Sequence, residues 1–155
     1  TGSISTQAEL MYRLLRAPVT ELRIGLPEAQ EVLGVTGSGI REWRVEPPAA
    51  GRKVLVVVAE KPLKDEYRLG LTLEAPVANL PAEVMVPEIE IVGASYARGQ
   101  VTVSAEGQLD VTPKTLNQVT RMTAGSEGTG VVGVFRLLRQ PWKLGLDVTE
   151  AKAQV

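Results

Sequence analysis

The chain has 155 residues, 44% hydrophobic and 23% charged, and 17 basic against 18 acidic residues leave a net charge of −1. That composition fits one globular domain with a sizeable core, and it excludes wholesale disorder and the basic excess that binding a nucleic-acid backbone demands. Histidine and cysteine are both absent, which removes disulfides, thiolate chemistry, the usual activator of a serine nucleophile and the soft ligands of transition metals.

Strand signals then run the length of the chain. Residues 9–16 form a first candidate. In residues 20–26, Leu22, Ile24 and Leu26 take one face, and Glu21 and Arg23 the other. Residues 31–36 and 40–46 follow, separated by the turn signal Gly37-Ser38-Gly39. After the turn at 47–51, residues 53–59 lack alternation and read as a strand buried on both faces. Its expected neighbours are 40–46 and 66–74. The apolar run from Val54 to Ala59 is the longest in the chain, far below the ~18 residues of a membrane-spanning helix. No membrane insertion is expected.

Residues 61–65 read as a turn. Tyr67, Leu69, Leu71 and Leu73 then oppose Arg68, Gly70, Thr72 and Glu74. A soft division falls at 75–82, where Pro76 and Pro81 flank Asn79. Each half is small for an independent sandwich, so residues 1–155 are read as one domain. Further strands are expected at 84–92, 100–105 and 108–112, with turns at 93–98 and 106–107. Thr112-Pro113 resembles an N-cap followed by a first-turn proline, and Leu116, Val119 and Met122 lie three apart. The spacing predicts a short helix near 113–122. A loop at 125–130 leads to strands at 131–139 and 142–148. The expected fold is all-β, a predominantly antiparallel β-sandwich with that one helix.

Two segments echo each other: Tyr12-Arg13-Leu14-Leu15-Arg16-Ala17-Pro18 and Phe135-Arg136-Leu137-Leu138-Arg139-Gln140-Pro141, with Tyr67-Arg68-Leu69 as a shorter copy. A tandem unit is one reading. The plainer one is a common strand solution, aromatic and leucine inward with arginine outward. If the segments are equivalent, Tyr12 and Phe135 face inward and Arg13 and Arg136 outward, and the two could pair directly.

Val35-Thr36-Gly37-Ser38-Gly39-Ile40-Arg41-Glu42-Trp43 spells V-x-G-x-G-x-x-x-W. The apolar strand and Pro62-Leu63-Lys64-Asp65-Glu66-Tyr67-Arg68-Leu69, P-L-x-x-x-Y-x-L, come next. This first half resembles β-sandwich segments of large, uncharacterised bacterial cell-envelope proteins. The resemblance implies an ectodomain of a larger protein and transfers no catalytic residue. The chain begins at Thr1 without methionine and is read as cut from such a parent, with a periplasmic or extracellular location.

Candidate chemistry is sparse. Gly128-Thr129-Gly130-Val131-Val132-Gly133 spells G-x-G-x-x-G, but it opens a strand rather than the helix a dinucleotide site requires. Glu88 with Glu90, and Glu42 with Glu46, share strand faces, as solvated strands routinely arrange. Trp43, Trp142 and Tyr67 fall on apolar faces and are read as core. Tyr96, in a turn-like stretch, is the candidate exposed aromatic, with Arg98 and Gln100 as companion ligand-binding residues. Arg13, Arg16, Arg136 and Arg139 form an anion patch if their strands are neighbours. No catalytic residue, metal site or cofactor is expected. The sequence therefore points to a non-enzymatic structural or interaction module, whose partners are other domains of a longer parent chain or another protein. The alternative is a carbohydrate-binding module with glycan as partner; nucleic acid is not expected.

Overall fold

The computed structural model describes residues 2–77, 79–86, 89–92, 95–107, 109–122, 131–138 and 142–150; residues 12, 14–19, 64, 90–92 and 95–98 are described by backbone alone. Among them the fold is all-β, with eleven strands, antiparallel ladders and no helix. None of them therefore forms a helix long and apolar enough to cross a membrane.

Two long strands organise the molecule. β1 (Gly2–Pro27) and β4 (Arg52–Val77) each run 26 residues and pair from Gly2↔Val77 to Pro27↔Arg52. β2 (Glu31–Gly37) and β3 (Ile40–Val45) lie one after the other along the outer side of β4. On the far side of β1 lie β6 (Glu90–Val92) and β7 (Ser95–Gly107). β10 (Val131–Leu137) pairs with β7, and β9 (Val119–Arg121) with β10. A second sheet has the order β5 (Ala82–Met85), β11 (Lys143–Glu150), β8 (Leu109–Asn117). The two sheets share one buried cluster. Leu10, Ile24, Leu69, Val101 and Phe135 come from the large sheet; Leu144, Leu146 and Val148 come from the small one, with Trp142 just before it. Each fully buried aliphatic side chain contributes about 1.5–3 kcal/mol against the entropy of ordering the chain.

Several sequence expectations change. Residues 53–59 are interior and have β3 on one side, as expected. Their other neighbour is 21–27 of β1 rather than 66–74, because 53–59 and 66–74 are two halves of β4. Residues 61–65 are not a turn. They continue the strand through an irregular stretch where Leu14 pairs with Asp65 and Val19 with Leu63, with a register shift on each side of Val19. Pro18 and Pro62 sit there, each removing a ladder donor, and Asp65 takes a positive φ of 63°. Residues 9–16 and 20–26 likewise merge into β1. Residues 84–92 divide between sheets, as β5 and β6.

The expected helix near 113–122 is absent; β8 and β9 occupy that stretch. Pro113 is accommodated because β8 is an edge strand with a register shift beside it, where Thr115 pairs with Gly145 and Pro113 with Leu146. Gln118, with φ 58°, turns the chain from β8 into β9. The expected turn at 47–51 is present. Ala49 and Arg52 exchange backbone hydrogen bonds of 2.8 and 3.0 Å around Ala50 and Gly51, whose φ values of 54° and 76° define a type I′ turn.

The two motifs of the envelope resemblance meet in space. The Tyr67 hydroxyl donates to the Ser38 carbonyl at 2.8 Å, and a Cβ on Gly37 would lie 2.4 Å from that hydroxyl. Glycine at 37 thus leaves room for Tyr67, and Gly39, with φ 70°, completes the passage from β2 to β3. Tyr67→Phe is expected to cost about 1 kcal/mol in urea unfolding. Burial raises the Tyr67 pKa above the ordinary tyrosine value, so the unfolded chain ionises first. Stability from this group is intact below about pH 10 and falls as pH rises beyond it. The phenylalanine variant should lose less stability than the parent as pH rises above about 10; an identical alkaline slope would refute the assignment.

Candidate functional site

The outer face of the large sheet is built by strand alternation. Leu10, Leu69, Val101, Phe135 and Leu137 turn into the core, so their neighbours Glu9, Arg68, Gln100 and Arg136 turn out. Register then aligns them. Gly70, Glu9, Gln100, Arg136 and Thr120 are successive partners across β4, β1, β7, β10 and β9. At about 4.8 Å per strand, Glu9 and Gln100 are immediate neighbours and Arg136 follows one strand further. Arg68 pairs with Met11 in the adjacent row.

These side chains line an open groove of about 480 Å³, with Glu9, Met11, Arg68, Gln100 and Arg136 on its walls together with Leu10 and Gly99. A hollow of about 430 Å³ over Thr36, Gly37, Ser38, Glu66 and Tyr67 shares Glu9 and Arg68 with it. Another of about 310 Å³, over Thr120, Arg121, Met122 and Leu138, shares Arg136. The three form a polar trough crossing the sheet from β2 to β9. Its centre places a carboxylate, an amide and a thioether between two guanidinium groups. Those groups offer planar, multidentate hydrogen bonding, with positive charge at both ends.

Of the sequence-derived ligand residues, Gln100 stands in this trough. Tyr96 and Arg98 do not occupy a turn: Ser95 to Arg98 belong to β7, where Tyr96 pairs with Tyr12 and Arg98 with Met11. Their side chains lie outside the described residues. The anion patch is not assembled as expected, because β7 separates β1 from β10. Arg136 enters the trough, whereas Arg13 is exposed beside Glu66 at 3.8 Å. Arg16 is described by its backbone in β1, and Arg139 lies outside the described residues. The echoing segments both enter the large sheet but do not pair directly. Phe135 is buried, and Arg13 and Arg136 are exposed, as strand equivalence requires. The inward position expected of Tyr12 lies outside the described residues. Sequence reasoning missed Glu9 and Met11 as site residues and placed Arg68 only as an outward strand position. Their outward phase is legible; which strands adjoin is not.

Trp142 and Tyr67 are buried as expected, but Trp43 is 38% exposed. It stands on the core-side face, opposite Val57, yet β3 is an edge strand that overhangs the core. Glu42 lies 3.9 Å from Arg44, and Glu46 accepts from Arg23, so both carboxylates face guanidinium groups. Glu88 and the side chain of Glu90 lie outside the described residues, as does Gly128-Thr129-Gly130 of the glycine motif; Val131 and Gly133 are in β10. On the small sheet Lys114 reaches Glu83 at 3.3 Å and Asp147 at 3.7 Å, joining all three strands. Its hydrogen bond to Glu83, with the nearby carboxylate charges, raises its pKa. No family model, no curated protein and no solved structure matches this chain.

Proposed function

We propose that the chain is a non-enzymatic interaction module of a larger exported or envelope protein, working as a rigid β-scaffold that presents its polar sheet face. The observation that carries this reading is the aligned row Glu9, Gln100, Arg136, with Arg68 beside it, held in fixed order by four hydrogen-bonded strands. Groups fixed on strands are already ordered before a partner arrives, so binding loses little further entropy. The partner class is another protein or another domain of the same parent chain. A carbohydrate is the second reading, favoured by the planar amide and guanidinium groups beside the open groove.

Site-specific photocrosslinking in the full-length parent tests this. A photoreactive residue at Gln100 or Arg136 should give protein adducts, and one at Glu83 on the small sheet should not. Absence of groove adducts, together with polysaccharide-dependent retardation in affinity electrophoresis that Gln100→Ala removes, would replace the protein reading with the glycan one.

A further inference from the structure

We propose that β3 is a self-pairing edge, joining two copies of this chain antiparallel across Trp43. The inference stands apart from the groove, since residues 42–44 take no part in its lining. Among the described residues, β3 pairs with β4 alone. Its outward groups are set by ladder parity. Glu46 donates its N–H to the Val54 carbonyl at 2.9 Å. The residues in phase with Glu46 are Arg44 and Glu42, opposite Val56 and Val58, and they bond toward β4. Trp43 and Val45 therefore direct their backbone N–H and C=O away from β4, into the open edge.

Side-chain charge and backbone donors together select one register. Residues 42–44 read Glu-Trp-Arg. When two such strands run antiparallel with Trp43 facing Trp43 of a second copy, Glu42 of each chain stands opposite Arg44 of the other. Both charge pairs are then complementary, on one face. The tryptophans meet on the other face, beside Val45. Trp43 and Val45 are each 38% exposed in the single chain, and the pairing covers both. The same register makes Trp43 a hydrogen-bonded pair with its copy, so backbone parity and charge pattern agree. Edge charges ordinarily repel arbitrary strands. Charge alone admits two alignments, since Val45 facing Val45 would also set Arg44 opposite Glu46, but there Trp43 would face Pro47, which has no N–H to donate, and Glu46 already accepts from Arg23. Trp43 facing Trp43 is the alignment that remains, and a twofold axis closes the assembly. Pro47 and Pro48 follow β3, and without N–H groups they bound the ladder to a short stretch. The interface is therefore at the small end for specific association.

Sedimentation velocity from about 10 µM to about 1 mM, the range suited to a small interface, should show a monomer–dimer equilibrium. Glu42→Arg or Arg44→Glu alone places like charges opposite each other twice and should weaken association about tenfold or more. Mixing the two single variants restores complementarity and should give heterodimers, and the double exchange should dimerise by itself. A second measurement covers variants that fail to fold. The chain has no cysteine, so Trp43→Cys carries a sole thiol at the twofold axis. Its Cα atoms, about 5.5 Å apart in such a pair, permit a disulfide. Oxidation should crosslink Trp43→Cys and leave Asp110→Cys, on the other sheet, monomeric. A monomer throughout the concentration range, equal association of the single variants, or equal crosslinking of the two cysteine variants would overturn the proposal.

Discussion

Val57→Asp should destabilise the protein by about 4 kcal/mol or more, and Val56→Asp by less, although both valines are buried almost completely. Val57 faces the shared core, with Leu22 and Trp43 as its partners across β1 and β3. A carboxylate there has no cation in its row and either remains charged in apolar surroundings or takes up a proton. Val56 points to the opposite face, and its partners in the same row are Arg23 and Arg44. An aspartate at 56 gains two guanidinium neighbours, which offset part of its desolvation. Urea unfolding followed by circular dichroism gives the difference directly. Equal losses would mean that the two faces are not distinguished as the register requires.

Trp142→Ala should cost about 3–5 kcal/mol. Trp142 is fully buried, leads into β11 and belongs to the cluster that both sheets share. Its removal leaves a cavity that two hydrogen-bonded sheets cannot easily close. The indole Nε1 has no hydrogen-bond partner among the described residues, and the expected loss is one of packing. Trp43→Ala, at a half-open edge, should cost under about 1.5 kcal/mol in the same denaturant series. The indole of Trp142 should also emit at shorter wavelength than that of Trp43. Comparable losses for the two tryptophans would contradict the placement of Trp142 between the sheets.

The strand content was legible because alternation is written residue by residue. Leu22, Ile24 and Leu26, or Leu69, Leu71 and Leu73, announce their buried face without any knowledge of neighbours. Continuity was harder to read. Pro18 and Pro62 break local pattern, yet β1 and β4 pass through them because the two irregular stretches pair with each other. Thr112-Pro113 carries a genuine helix-opening signal, and an edge position in the small sheet overrides it. The trough was half visible: Gln100 and Arg136 could be named, but Glu9 joins them only through register, which depends on contacts about 90 and 130 positions away. Valines 56 and 57 likewise look interchangeable in an apolar run. Only the identities of the flanking strands separate them.

The position of β1 has a consequence for how the chain reaches this state. Of the described strands β1 is the earliest in the sequence, yet it lies between β4 and β7, and Gly2 pairs with both Val77 and Gly107. Its ladder with β4 is complete only when Val77 is present, and its ladder with β7 only when Gly107 is. The β3–β4 hairpin closes over Ala50 and Gly51, so its pairing is local and available within microseconds. Closure of β1 against β7 spans roughly a hundred residues, and such non-local pairing belongs to the millisecond-to-second regime. Folding order thus runs against sequence order: the β3–β4 hairpin forms early, but β1 stays without a second neighbour until β7 arrives.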